Sequence, residues 1–343
     1  MKNKRLLIVI SIVLAVFLLS CCGKKEAPTE EPAKTEEKAE TQEEKSEAKT
    51  EEEEVNFEMP KVAALKGPTS MGMVKLFEDS DNFSILSAPD EVVAGLTSGE
   101  FDLAAIPGNL ASVLFNKTEG KIKVLGINTL GTLYMVSTDA NIKFIPDLMG
   151  MKIVTAGQGA TPEYVLKYLL ERNGLKEDDV EIEFKQNHQE VLLSAGEENT
   201  VLMLPQPFET IALTKDKTLI ENINLDTEYK KATQGTPMVM GVIVARAEYL
   251  AEHEDDVKAF MEKYKESVDF VNENPTEAAK LIEKYEIAPA KVAEAAIPKS
   301  NIVLITGNDM RTYLKGFLNV LYKADPKSVG GQEPSDEFYY TAK

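Results

Sequence analysis

One unit recurs along this chain and limits what it can fold into: a short apolar strand, a turn rich in glycine or proline, and a helix. The fullest copy is Lys152 to Asn173, KIVTAGQGATPEYVLKYLLERN. Ile153-Val154 reads as a buried strand, and Gly157-Gln158-Gly159-Ala160 breaks it with two glycines that permit tight backbone angles. Thr161 suits an N-cap and Pro162 the first helical position, where its missing N–H costs nothing. Val165, Leu166, Leu169 and Leu170 follow at helical spacing until Asn173-Gly174 stops the helix. The helix N-terminus, with its unpaired N–H groups and positive dipole end, then faces whatever lies beyond the strand's carboxyl end.

A lone glycine turn is a weak signal, since any α/β protein contains such junctions. Repetition strengthens it. Val62-Ala63-Ala64-Leu65 runs into Gly67-Pro68-Thr69-Ser70 and a helix carrying Met73, Val74, Leu76 and Phe77. Phe101 to Ile106 runs into Pro107-Gly108-Asn109 and a helix with Leu110, Val113 and Leu114. Val201 to Leu204 runs into Pro205-Gln206-Pro207-Phe208 and a short helix. In open α/β sheets the ligand lies outside the carboxyl ends of the strands, so four junctions predict an α/β fold with a binding cleft.

The order of elements predicts two lobes. Glu91 to Ser98 before the strand at Phe101 is echoed by Gln189 to Ala195 before the strand at Val201. Each passage reads helix, glycine, strand, proline turn, helix. Residues 55–155 and 240–343 are expected to form lobe 1, and 156–239 lobe 2, with Met238 to Ala245 as a returning strand. The chain would cross near Thr155-Ala156-Gly157 and again near Gly235 to Gly241. After Arg246 it reads as helical: Tyr249–Asn272, Thr276–Tyr285, Pro289–Ala296 and Asp309–Tyr322, punctuated by Asn274-Pro275 and Ala288-Pro289.

The first 54 residues stand apart. Lys2, Lys4 and Arg5 precede the apolar stretch Leu6 to Leu19, the pattern of a secretory signal rather than a spanning helix. It ends in Leu18-Leu19-Ser20-Cys21, which resembles a bacterial lipobox, so residues 1–20 are expected to be a signal peptide and Cys21 the lipidated residue. Such a lipid would anchor the protein at the extracytoplasmic face of a bacterial cell membrane without spanning it. Residues 21–54 then form an acidic linker; from Gly23 to Glu54 it has no aromatic residue and no Leu, Ile or Val, too little apolar surface to offset chain entropy. Cys21 and Cys22 are the only cysteines, so no disulfide can staple the folded part.

Catalytic chemistry finds little support. His188 and His253 are the only histidines, distant in sequence and without cysteine partners, and both read as surface residues. No HExxH, GxSxG or phosphate-loop lysine motif is present. A formal charge of −19 argues against nucleic acid, whose phosphates need clustered Lys and Arg. Of the four arginines, Arg5, Arg172, Arg246 and Arg311, none lies in a junction, so no bidentate clamp awaits an anion there. An oxyanion would be held by helix N-termini and the hydroxyls of Thr69, Ser70 and Thr161. A neutral heterocycle stacked on Phe208 and bonded by Gln158, Asn109 and Gln206 fits equally.

Several stretches carry a family resemblance: KVAALKGPTSMGMVKL, TAGQGATPEYVLKYLLERNGL, LPQPFETIAL, NENPTEAAKLIEKY and GGQEPSDEFYY. Together, across Val55 to Tyr340, the chain resembles the substrate-binding lipoproteins of ABC importers, of the nitrate/sulfonate/taurine and thiamine-pyrimidine-precursor type. The resemblance implies a two-lobed type II periplasmic-binding fold that closes on a small-molecule solute and delivers it to an ABC permease and its ATPase. It implies a monomer with no cofactor, no metal and no covalent chemistry. On this chain, lobe 1 would offer Gly67, Pro68, Thr69, Ser70, Pro107, Gly108, Asn109, Thr129, Leu130, Gly131 and Thr132. Lobe 2 would offer Gln158, Gly159, Ala160, Thr161, Gln206, Phe208 and Glu209. Many relatives have Glu between the two prolines where this chain has Gln206, which puts a charged contact there in doubt. Two alternatives are an enzyme of the same fold, like the thiamine-pyrimidine synthases, and a sensor lipoprotein without a transporter. The enzyme would need a reactive Lys and His in the cleft, and Lys66 is the only basic residue inside the four junctions.

Overall fold

The structure, a computed structural model, describes residues 57–341. The expected signal peptide (1–20) and the whole of the acidic linker with Cys21 (21–54) therefore lie outside the described residues, as do Val55 and Asn56. The chain begins with β1 (Val62–Leu65), α1 (Pro68–Met71), β2 (Phe83–Leu86), α2 (Pro89–Ser98), β3 (Leu103–Pro107), α3 (Gly108–Lys117) and β4 (Ile122–Leu130). It continues with β5 (Leu133–Ser137), β6 (Lys152–Ala156), α4 (Thr161–Arg172), β7 (Glu181–Lys185), α5 (His188–Val191), β8 (Thr200–Pro205), α6 (Phe208–Lys215), β9 (Ile220–Asn224) and α7 (Leu225–Ala232). It closes with β10 (Val239–Arg246), α8 (Ala247–Glu252), α9 (Glu254–Glu273), α10 (Pro275–Lys284), α11 (Ala290–Ala296), β11 (Ile302–Ile305) and α12 (Gly307–Ala324).

Two sheets organise these elements. The first runs β11-β4-β10-β3-β1-β2 and the second β7-β6-β8-β5-β9. Setting aside β11, both follow one plan. Three parallel strands (β2-β1-β3, or β7-β6-β8) are followed by an antiparallel one (β10, or β5) and then by a strand restoring the original direction. The echo between the two halves of the sequence is thus an echo of topology.

The inner parallel strands are apolar on both faces, as parallel strands covered by helices must be. On the first sheet Ala63, Ala104 and Ile106 face one apolar cluster while Val62, Ala64, Leu103 and Ala105 face another. The second of these is filled by Phe260, Tyr264, Val268 and Val271 of α9. The first extends through Leu314, Phe317, Leu318 and Leu321 of α12 to Val165, Leu166, Leu169 and Leu170 of α4 and Tyr229 of α7. α12 therefore lies against helices of both sheets, with the rings of Tyr229 and Phe317 6.0 Å apart. A separate cluster around Val136, Val154, Leu202 and Leu204 covers the other face of the second sheet.

Three features depart from the sequence reading. The chain passes between sheets at Gly131-Thr132 rather than near Thr155, because β5 pairs with β8 and β9, and β6 lies beside β8. The helix expected over Tyr249–Asn272 is two, α8 and α9, broken at His253 (φ −129°, ψ 39°). Glu254, Asp255 and Asp256 place three carboxylates in the first turn of α9, where the dipole favours starting a new helix. Within the expected all-helical tail, Ile302–Ile305 is a strand, paired antiparallel to β4.

Candidate functional site

The carboxyl ends of β1, β3, β6 and β8 each lead through a glycine or proline turn into a helix, as their sequences require. Around them the predicted residues fall into three groups. Gly67 and Phe208 line one cavity of about 420 Å³, Asn109 and Thr161 bond to each other, and Gln206 and Glu209 sit in a buried polar cluster.

The cavity draws its walls from distant parts of the chain. Lys66 and Gly67 come from the β1–α1 turn, Pro207, Phe208 and Ile211 from the start of α6, and Ile287, Ala288 and Pro289 from the connection between α10 and α11. Gln189, Glu283 and Glu286 complete it. Behind Phe208 stands His188, its ring centroid 5.0 Å away and its Nδ1 buried without a hydrogen-bond partner. Burial pushes the His188 imidazole down to about 4, so it is neutral near pH 7.

Thr161 does not cap α4. The N-cap is Ala160, and the Thr161 hydroxyl donates instead to Asn109 Oδ1 at 3.0 Å. Both residues are buried. The Asn109 amide nitrogen donates in turn to the Ser328 carbonyl at 3.3 Å, which fixes its oxygen toward Thr161.

Glu209 is wholly buried, and its carboxylate accepts from Gln206 Nε2 (2.7 Å), the Thr210 hydroxyl (3.2 Å) and Lys299 Nζ (3.0 Å). Lys299 also bonds Glu221 at 2.7 Å, its carbonyl accepts from the Tyr134 hydroxyl at 3.0 Å, and its ammonium lies over the Tyr134 ring. Partial burial pulls the Lys299 ammonium down, but its bonds to Glu221 and Glu209 outweigh this and leave it raised. Tyr134 is pushed up to about 12, mainly by burial and then by the charges of Glu221 and Glu209.

The remaining predicted residues are mostly engaged locally. The Thr69 hydroxyl donates to the Leu65 carbonyl (2.8 Å); Ser70 Oγ donates to the Gly67 carbonyl and accepts from the Gly67 N–H. Pro68 opens α1, Pro107 ends β3 and Gly108 starts α3. Thr129 is buried in β4 and donates to Asn128 Oδ1, whose amide nitrogen donates to the Thr69 carbonyl. Leu130 ends β4, and the Gly131 carbonyl accepts from Asn301 Nδ2. The Thr132 carbonyl accepts from the Gln206 N–H at 3.0 Å. Gln158 and Gly159 are exposed, the Gly159 N–H donating to Glu163 Oε2 at 2.6 Å, and Ala160 is half-buried.

Sequence reasoning missed Lys299, Asp226, His188, Gln189 and Ile287 at this site. Asp226 is buried with Oδ1 unpartnered, so close to Gly131 that a Cβ there would lie 2.3 Å from that oxygen. Only His188, one of two histidines, carried a signal worth following; the others are common residue types whose roles come from the fold. Among the described residues, no group of three or more His, Cys, Asp or Glu side chains could hold a metal ion.

A family model described as NMT1/THI5 like matches residues 89–278, more than half of the chain. The chain belongs to the NMT1/THI5-like family. Solved structures similar to this NMT1/THI5-like chain include an ABC transporter protein from Parabacteroides distasonis, 26% identical over 83% of this chain and 99% of that one, with a TM-score of 0.70. The periplasmic aliphatic sulphonate binding protein SsuA from Escherichia coli is 14% identical, with a TM-score of 0.65 over 82% of this chain and 93% of that one. The alkanesulfonate-binding protein SsuA from Xanthomonas axonopodis pv. citri, solved with MOPS bound, is 13% identical, with a TM-score of 0.59 over 78% and 94%. At such identities the two SsuA structures speak for the fold alone, and that fold is the type II periplasmic-binding architecture described above. No curated protein matches the chain.

Proposed function

We propose that this protein is the solute-binding component of an ABC importer. It captures a small solute between two closing lobes and delivers it to a membrane permease and its ATPase. The observation that carries this reading is the cavity of about 420 Å³ walled by Lys66, Gly67 and Ile287 on one side and by Gln189, Phe208 and Ile211 on the other. The first group belongs to the chain segments that build the first sheet, and the second to those that build the second. We place the lobes accordingly, with the second running from Thr132 to about Thr236. The solute is then a cross-link: it satisfies groups on both lobes together and favours the state in which they meet.

Capture rather than catalysis is supported by how two of the three basic groups near the cavity are held: Lys299 lies between two carboxylates, and His188 is packed behind Phe208 with its Nδ1 buried, while Lys66 lines the wall. The relatives named for sulfonates bring a sulfonate-like oxyanion forward as a solute, beside a small heterocycle. Cleft binding is assigned to the loops predicted above, and membrane attachment to lipid on Cys21 through the acidic linker. The test is X-ray scattering on the monomer, with and without solute recovered from natively purified protein. The reading requires a smaller radius of gyration on binding and a solute returned chemically unchanged; a solute returned as product would make the protein an enzyme.

A further inference from the structure

We infer that the captured solute is uncharged or cationic with an apolar body, and that small oxyanions, sulfonates included, are rejected. This rests on the capture reading and narrows it.

An oxyanion needs hydrogen-bond donors, and several of those on the cleft turns are already donating within the protein. The Gly67 N–H goes to Ser70 Oγ, and the hydroxyls of Thr69, Ser70 and Thr161 go to Leu65, Gly67 and Asn109. The Gly159 N–H, at the glycine turn before α4, is bonded to the carboxylate of Glu163, four residues on. An anion there would have to displace a carboxylate of the protein's own. The Gln206 N–H donates to Thr132, and its side-chain amide nitrogen donates to Glu209.

Charge points the same way. Of the described arginines, Arg246 is paired with Asp102 and Arg311 with Asp336, and Arg172 lies at the far end of α4. The cavity has one cation, Lys66, against two carboxylates, Glu283 and Glu286. Beside it, Lys299 is outnumbered by Glu209 and Glu221. A sulfonate entering here would meet net negative charge without a bidentate partner. The cavity's shape and lining also disfavour a small oxyanion. Pro207, Phe208, Ile211, Ile287, Ala288 and Pro289 form most of a wall around about 420 Å³, far more room than a hydrated oxyanion fills and mostly apolar.

The test is thermal melting of the whole chain with a deproteinised cell extract, split at pH 7 into cation-exchange-retained, anion-exchange-retained and unretained fractions. Ethanesulfonate and nitrate at millimolar concentration serve as defined anions. The expected result is a rise of several degrees with the cation-retained or unretained fraction and none with the anions. A rise with the anion-retained fraction, or with ethanesulfonate or nitrate, overturns this inference and leaves the capture reading standing. A rise with no fraction overturns both. Ile211→Trp, which fills the cavity, should abolish the rise; if it does not fold, Gln189→Trp at the cavity rim should do the same. Retention of the full rise in the folded variant overturns the placement.

Discussion

The Thr161 hydroxyl donates to Oδ1 of Asn109 at 3.0 Å, joining the first turn of α4, beside the second sheet, to the first turn of α3, beside the first. Two residues that the sequence offers separately to a ligand are thus each other's partner between α3 and α4. Because Asn109 also donates to the Ser328 carbonyl, its amide cannot turn over to seek another donor.

Removing that donor leaves a buried oxygen unsatisfied. Thr161→Ala should cost about 1–2 kcal/mol, read from urea midpoints, and Asn109→Ala a similar amount. Because the two act as one contact, the double variant should cost clearly less than the sum. Strict additivity would show that the hydrogen bond contributes nothing.

Lys299→Met should be harsher than an ordinary surface change, because it strands the fully buried Glu209 without its cation. Lys299 is itself partly exposed, so a loss of about 2–3 kcal/mol is expected rather than the full cost of breaking a buried pair. Adding Glu209→Gln should recover most of it. A Lys299→Met protein as stable as the parent would mean that Gln206 and Thr210 suffice for the carboxylate.

The pH dependence follows from His188. Its folded pKa, lowered to about 4 by burial, lies below the ordinary value near 6.5 of the unfolded chain. Between those values the unfolded chain takes up a proton that the folded chain refuses. Its contribution to stability is thus complete above about pH 6.5 and is lost as the pH falls toward 4. His188→Phe keeps an aromatic ring against Phe208 and removes the titration. Between pH 6.5 and 5.5 the parent should lose up to about 1 kcal/mol more than the variant. Parallel curves would place the imidazole in water.

Attachment through Cys21 predicts that Cys21→Ser protein leaves the membrane fraction, whereas Cys22→Ser protein stays. Cell fractionation and intact-protein mass spectrometry decide it, and a Cys21→Ser protein that still sediments with membranes counts against lipid at that residue.

Local chemistry made the four junctions legible. An apolar run followed by Gly67-Pro68, Pro107-Gly108, Gly157-Gln158-Gly159 or Pro205-Gln206-Pro207 has few other ways to fold. The crossing at Gly131-Thr132 was hidden because Ile122–Leu130 and Leu133–Ser137 are both apolar strands, and a single glycine between them looks like any turn. What requires glycine there is Asp226, 95 positions on, whose Oδ1 fills the space a Cβ would take. The Lys299–Glu209 pair was equally hidden: it spans 90 positions, and nothing marks Lys299 among the other lysines. Thr161 shows the opposite failure, a residue with good local capping chemistry that the tertiary fold draws to another partner.

The placement of β10 has a consequence for how the chain is made. The second sheet uses only residues 133–224, an unbroken stretch, whereas in the first sheet β10 lies between β3 and β4 and pairs with both. Until residue 246 has been synthesised, β3 and β4 each expose an unpaired edge and cannot join one another. The part of the protein that begins first is therefore finished last. Released chains ending at Ala232 should protect 133–224 from protease while 62–130 is still cut, and released chains ending beyond Arg246 should begin to protect both.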